Sequence, residues 1–467
     1  MTPASTPKRW RREEEVLAHD LTLSAAPLIA AYIRLSRTAA SVEAFATLQR
    51  RIAGSAIEMR ESDRQDKREL KRLKAERSVH NQRTRCPSPE MNQMVADVDL
   101  RLRANRRRFL ALRQVQDGIF WRLLQFDRQL ISTYGLGQQV GYPSETFEVE
   151  YAAAEEEWGE GRLAVFCDLS SCIRTGDLLV FDPGDRSITV VEIGTTRSPR
   201  KTRQRQRVQA RIAFLNEGRS TKLTDAPVVA VGKRPPLQTH LADLARLLTR
   251  AETEFAAGER IADHLYLEVV DARARGRDQL TEGELDEIAA RIERSRSAAW
   301  PNEVNYEFDS SERLRRDHTT STTTTAPFSI FPLDDETCAA LCLGHVSYRT
   351  VLSPRVVRER LERRGWTVQW PSDERGMWID VLARRDADIV TKVSSNISAA
   401  EQLAGELVTL EAFEQMIAAQ VTHARALPPD RLRVPWAWSA EEEVWLRRER
   451  GSDERPTVNA RPTADGA

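Results

Sequence analysis

Lysine is scarce in this chain: of 70 basic residues in 467, eight are lysines and the rest are arginines. Any chemistry that needs an amine therefore has few candidates. Long apolar runs are missing as well. The longest, Ala25 to Ile33, falls far short of the ~20 residues of a membrane-spanning helix. No apolar run follows the charged start MTPASTPKRWRREEE, so neither a membrane role nor a secretory signal is expected. Five cysteines, an odd and small number, exclude a disulfide framework and point to a reducing cytoplasm. The seven histidines show no pair at ligand spacing, and Cys167/Cys172 and Cys338/Cys342 read as buried thiols rather than zinc ligands. Charge of one sign is not in excess either. Seventy bases cancel 70 acids to a net charge of +0, which excludes a strongly basic coat protein but leaves room for a local basic patch.

What is present predicts about three domains from length alone. Residues 1–114 read as a helical, partly coiled-coil-like region suited to protein partners. Its apolar residues recur through Ala44, Leu48 and Ile52, and a dense charged stretch runs from Arg60 to Arg77. Cys86-Pro87-Ser88-Pro89 predicts a turn, Met91 to Arg113 a further helix, and Asp117 to Tyr134 another, stopped by Gly135 and Gly137. Residues 238–325 read as helical, with a capping box from Thr281 to Glu284 and a Thr-rich linker at 319–325. Residues 326–448 read as an α+β module. It has helices near 336–343 and after Ser353-Pro354, strands WTVQW, MWIDVLA and DIVTKVS, and a long helix from Ala399. The polar tail 449–467 is expected to be disordered.

Between these regions, at 115–237, the period changes. RLAVFCDL (162–169), DLLVFD (177–182) and SITVVEIG (187–194) are short β-rich runs, the last two separated by Pro183-Gly184-Asp185. Asp177 opens one strand of that hairpin and Glu192 ends the next, so the two carboxylates are expected at one edge of the sheet. Two hard oxygen ligands there suit Mg2+ or Mn2+. A basic stretch follows without an acid in it: Arg197, Arg200, Lys201, Arg203, Arg205, Arg207 and Arg211, interleaved with Gln206 and Gln209. APVVAVG (226–232) predicts a fourth strand. The acidic run 145–160 reads as a solvated loop or helix.

This arrangement of helix, three strands, helix and strand, with Gly-Asp opening the second strand and an acid ending the third, resembles the PD-(D/E)XK nuclease superfamily. The resemblance covers about residues 115–235. It implies an α/β fold with a restriction-endonuclease-like mixed sheet core, set between a helical N-terminal region and a C-terminal α+β module. It further implies a divalent-metal-dependent hydrolase of nucleic-acid phosphodiester bonds, DNA foremost. Asp177, Glu192 and the Ile193 carbonyl would hold the metal, with Asp117 as the helix acid, and the basic segment would contact nucleic acid. The family's lysine falls at Gly194, so the catalytic cation would be Lys201, relocated to the next element. The alternative is a catalytically inactive nuclease-fold protein that binds nucleic acid or serves in assembly.

Overall fold

A computed structural model describes residues 21–84, 88–124, 126, 131, 142, 147–173, 176–184, 187–193, 219–220, 228–229, 238–273, 281–300, 306–311, 326–369, 379–385, 388–395, 402–426 and 458–462. The fold is mixed α/β. Helix α1 (Ala26–Thr38) packs on a long antiparallel pair, α2 (Val42–Thr84) and α3 (Pro89–Leu123). Ser88 caps α3 by accepting the Met91 amide at 3.3 Å, and Pro89 stands where a missing N–H costs nothing. The two helices expected at 91–113 and 117–134 are one continuous helix ending at Leu123. No proline breaks it, and Gly118 lies within it because the neighbouring turn at Ser329 and Ile330 presses too close for a Cβ.

Helix α4 (Phe147–Gly159) then covers a meander of β1 (Leu163–Phe166), β2 (Leu178–Phe181) and β3 (Ile188–Glu192). Both strand pairs are antiparallel, with Phe166 opposite Leu178 and Leu178 opposite Val191. The acidic run is thus a helix solvated on one face only, with Glu148 and Glu156 exposed. Phe147, Glu150, Ala154, Glu157 and Trp158 of α4 are buried, and the Trp158 indole donates to the Ala164 carbonyl at 3.1 Å.

A second correction concerns the fourth strand of this sheet. Of the expected APVVAVG strand, the described part is β5 (Val228–Val229), which among the described residues pairs with β4 (Arg219–Ser220). The neighbour of β3 comes instead from the tail expected to be disordered. There β13 (Val458–Pro462) runs parallel to β3, with Val458 opposite Ile188 and Pro462 opposite Glu192.

Beyond these elements, α5 (Leu241–Glu254) precedes the hairpin β6 (Ala256–Ala262) and β7 (Leu265–Asp271), in a stretch expected to be wholly helical. Helix α6 (Glu282–Ala299) carries the expected capping box, with Thr281 and Glu284 each satisfying the other's backbone amide. Strand β8 (Tyr306–Asp309), helix α7 (Asp335–Leu343) and strand β9 (Val346–Leu352) follow, completing a four-stranded sheet of order β6-β7-β9-β8. That sheet takes strands from both sides of the Thr-rich stretch. Helix α8 (Pro354–Glu362) is capped by Ser353 as expected. The antiparallel trio β10 (Thr367–Gln369), β11 (Ile379–Arg385) and β12 (Asp388–Ser395) matches the three strands read there, and α9 (Leu410–Ala426) starts later than Ala399.

One buried core joins these layers. It runs from Ile29 and Leu48 through Val165 and Val190 to Leu267, Phe331 and Phe413.

Candidate metal-binding site

The sequence places Asp177 just after Gly176, and the structure gives the reason for that glycine. Its φ is 86°, a region costly for residues with a Cβ, and a Cβ there would collide with the Val190 side chain. The chain can then enter β2 with Asp177 tied to both neighbouring strands. Its amide donates to the Val191 carbonyl at 2.9 Å, and its carbonyl accepts the Cys167 amide at 3.0 Å. The Asp177 carboxylate accepts a hydrogen bond from the Ile193 amide, which fixes its orientation beside the end of β3. Glu192 is the last residue of that strand, and the register with Leu178 opposite Val191 sets the backbones of Asp177 and Glu192 side by side at one end of the hairpin.

Cys167, which follows β1, is buried next to the start of β2. Burial raises its thiol pKa well above the ordinary value, and the negative charges of Asp177, Asp168, Glu192 and Glu150 push it further in that order. Four carboxylates are thus within electrostatic reach of one buried sulfur. Asp168, on the short 3-10 turn Cys167–Leu169, has its own pKa raised by burial, opposed by the nearby Arg113 guanidinium.

Glu150 is the acid that sequence reasoning missed. It sits in the first turn of α4, is only 4% exposed, and belongs to the helix that leads directly into β1. Its signal was available: in FEVEYAAAEEEW, Glu150 falls three residues after Phe147 and four before Ala154, on the stripe that packs on the sheet.

Asp117, expected as the helix acid, has another task. Its carboxylate, 3% exposed, accepts from the Ser170 hydroxyl at 2.6 Å, the Ser171 amide at 2.7 Å, the Cys172 amide at 3.2 Å and the Ser171 hydroxyl. It holds the loop after β1, and both oxygens are already engaged by that loop. The assignment of Asp117 as a metal ligand is therefore withdrawn. The remaining acids of the 145–160 run are also accounted for in part. Glu155 pairs with Arg50 through two 2.8 Å contacts, and Glu157 and Glu160 engage Arg162.

Gly194, Lys201, Arg197, Arg200, Arg203, Arg205, Gln206, Arg207 and Gln209 lie outside the described residues, so the structure neither joins them to the acids nor parts them. Cys167, Cys172, Cys338 and Cys342 are buried and form no disulfide.

The donor set suits a hard cation. Asp177 and Glu192 supply carboxylate oxygens, and Mg2+ commonly takes one or two carboxylates and completes its shell with water and substrate oxygens. Among the described residues no group of three or more His, Cys, Asp or Glu side chains is close enough to hold an ion by itself. No helix among them is long and apolar enough to cross a membrane. Comparison with family models, with curated proteins and with solved structures finds no match.

Proposed function

We propose that the protein is a nuclease-like enzyme that hydrolyses phosphodiester bonds of nucleic acid, DNA foremost, at a divalent metal held by Asp177 and Glu192. The observation that supports this most is the hairpin register, with Leu178 opposite Val191, which sets Asp177 beside Glu192 at the strand end, where the Ile193 amide donates to the Asp177 carboxylate. Two carboxylates side by side at a strand end offer the hard oxygen donors that Mg2+ or Mn2+ takes. The ion would neutralise charge on the scissile phosphate and lower the pKa of a bound water.

The chain's own residues have separable roles in this reading. Asp177 is oriented by the Ile193 amide and presents its carboxylate toward the end of β3, where Glu192 supplies the second. Glu150, anchored in α4, adds negative charge from the covered side and raises local affinity for a cation. Lys201 is the cation that would orient the attacking water, since Gly194 offers no side chain. The basic segment 197–211 would contact the phosphate backbone. The core of the proposal is a restriction-endonuclease-like sheet, in which β13 takes the place beside β3 that APVVAVG was expected to fill.

The test is cleavage of single- and double-stranded DNA and RNA in Mg2+ and in Mn2+. Activity that requires metal and is lost in Asp177→Asn supports the reading. Gly194 at the lysine position favours a second reading, a nuclease-fold protein that binds nucleic acid without cutting. Metal-independent binding with no cleavage of any of the four substrates would select it. If wild-type protein cuts and Lys201→Ala cuts equally fast, the relocated-lysine mechanism is wrong.

A further inference from the structure

Helix α2 is 43 residues long, or about 64 Å at 1.5 Å per residue, and its second half pairs with the first half of α3 as an arm. The seam of that arm is small: Leu73, Val95 and Val98 are buried, with Leu70 and Leu102 packed against them. The charges along α2 are sorted about this seam. Asp66 and Glu69 accept from Arg101 of α3 at 2.9 and 2.6 Å. Asp63 is held by Lys67 at 2.7 Å, Glu61 by Arg60 and Arg64, and Glu76 by Arg72. Every acid from Glu61 to Glu76 is thereby neutralised. Arg68, Lys71 and Lys74 are exposed and have no ion-pair partner among the described residues. At 100° per residue these three lie within about a third of the helix circumference. Two of the chain's eight lysines are among them, and Lys67 adjoins them.

We propose that this face of the arm is a docking surface for the phosphate backbone of a nucleic-acid duplex. The run from Lys67 to Lys74 covers about 10 Å of helix axis, which matches about three phosphates of one strand at 3.4 Å per phosphate along the duplex axis. Three unneutralised cations meet three phosphates. A lipid surface fits less well, because a membrane-seated helix needs an apolar face beside its cations. Here Leu70 and Leu73 are turned into the seam, and Ala75 and, a turn further on, Val79 are too little exposed apolar surface to seat a helix in lipid. The surface is separate from the Asp177–Glu192 site and does not depend on hydrolysis there. It would hold a duplex whether or not the protein cuts it.

Full-length protein carrying Arg68→Gln, Lys71→Gln and Lys74→Gln tests the proposal. Glutamine has nearly the helix propensity of lysine and arginine, so circular dichroism and thermal melting should match wild type. Fluorescence anisotropy with a short DNA duplex and an RNA duplex of the same sequence then gives log affinity against log salt. Loss of three phosphate contacts should make the slope shallower by about 2.7, taking 0.9 per contact. The two duplexes distinguish the sources of the phosphate backbone. A slope equal to wild type would overturn the inference. So would absence of wild-type binding to both duplexes at about 50 mM salt, where phosphate contacts are strong, or tighter binding to phosphatidylserine vesicles than to either duplex. Metal-dependent cleavage by wild-type protein and its loss in Asp177→Asn are read separately from this slope. A failed arm therefore leaves the nuclease reading intact, and a failed nuclease reading leaves the arm.

Discussion

Asp117 and Asp177 are both acids beside backbone amides, yet their surroundings give them opposite roles. Asp117 satisfies Ser170, Ser171 and Cys172 in a buried loop, so Asp117→Ala leaves several donors without an acceptor. Such a loss should cost about 3 kcal/mol, from the ~1–3 kcal/mol of each buried unsatisfied group, and denaturant titration reads it as a lower midpoint. Asp117→Asn should recover part of that cost. If Asp117→Ala instead leaves stability unchanged and weakens metal binding, the loop assignment is wrong. For Asp177→Asn the expectation is reversed: metal binding by calorimetry falls tenfold or more while the melting temperature stays near wild type.

A third residue sets a pH dependence. His264, 4% exposed, has its pKa lowered from 6.5 to about 4, first by burial and then by the neighbouring His240. Glu411 and Asp263 oppose that shift, and Arg360 adds to it. The unfolded chain therefore takes a proton on His264 that the folded protein refuses. Stability is full above pH 6.5 and is lost as pH falls toward about 4, by roughly 3 kcal/mol at 1.36 kcal/mol per unit. His264→Leu should flatten the melting curve against pH across that window, and an unchanged slope would place the acid sensitivity elsewhere.

At the scale of elements, β13 is the least expected piece. A strand from the far end of the chain adds in parallel to β3, the strand that ends in Glu192. Without it β3 is an edge, and its outward amides face solvent. Ala460→Pro removes an N–H and restricts φ in the middle of β13. Hydrogen exchange at 188–192 should then quicken, while the amides shared by β6 and β7 keep wild-type rates. Equal rates at 188–192 in both proteins would mean that β13 adds nothing to the sheet. The capped helices behaved differently. Thr281 and Ser353 announce their helices in sequence because a side-chain cap is a local bond, made within three residues. The hairpin β2–β3 is equally local, with its turn residues at 183–185. Strands β6 and β7 gave no such signal, since AAGERIA and LYLEVVD have mixed patterns, and β7 is held between β6 and the distant β9.

For the whole molecule, the sheet of order β6-β7-β9-β8 binds together regions that sequence reading separated at the Thr-rich stretch. Tyr348 of β9 donates to Gly405 and lies near Phe308 and Phe328, so both sides share packing. A protease site placed between Thr319 and Thr325 should therefore yield two pieces that co-elute on size exclusion and melt in one transition. Separate elution would show independent modules.

Short-range chemistry alone determined several parts of this protein: the caps, the antiparallel α2–α3 pair, the β2–β3 hairpin and the placing of Asp177 beside Glu192. Each depends on residues close together in the chain or on a strong periodic pattern. Tertiary structure decided which helix acid faces those carboxylates, which strand flanks β3, and that strands across the Thr-rich stretch share one sheet. Glu150 and Asp117 are both carboxylates, 4% and 3% exposed. What distinguishes them is the element each packs against, a relation between distant segments that is settled only when apolar faces and backbone hydrogen bonds are satisfied together.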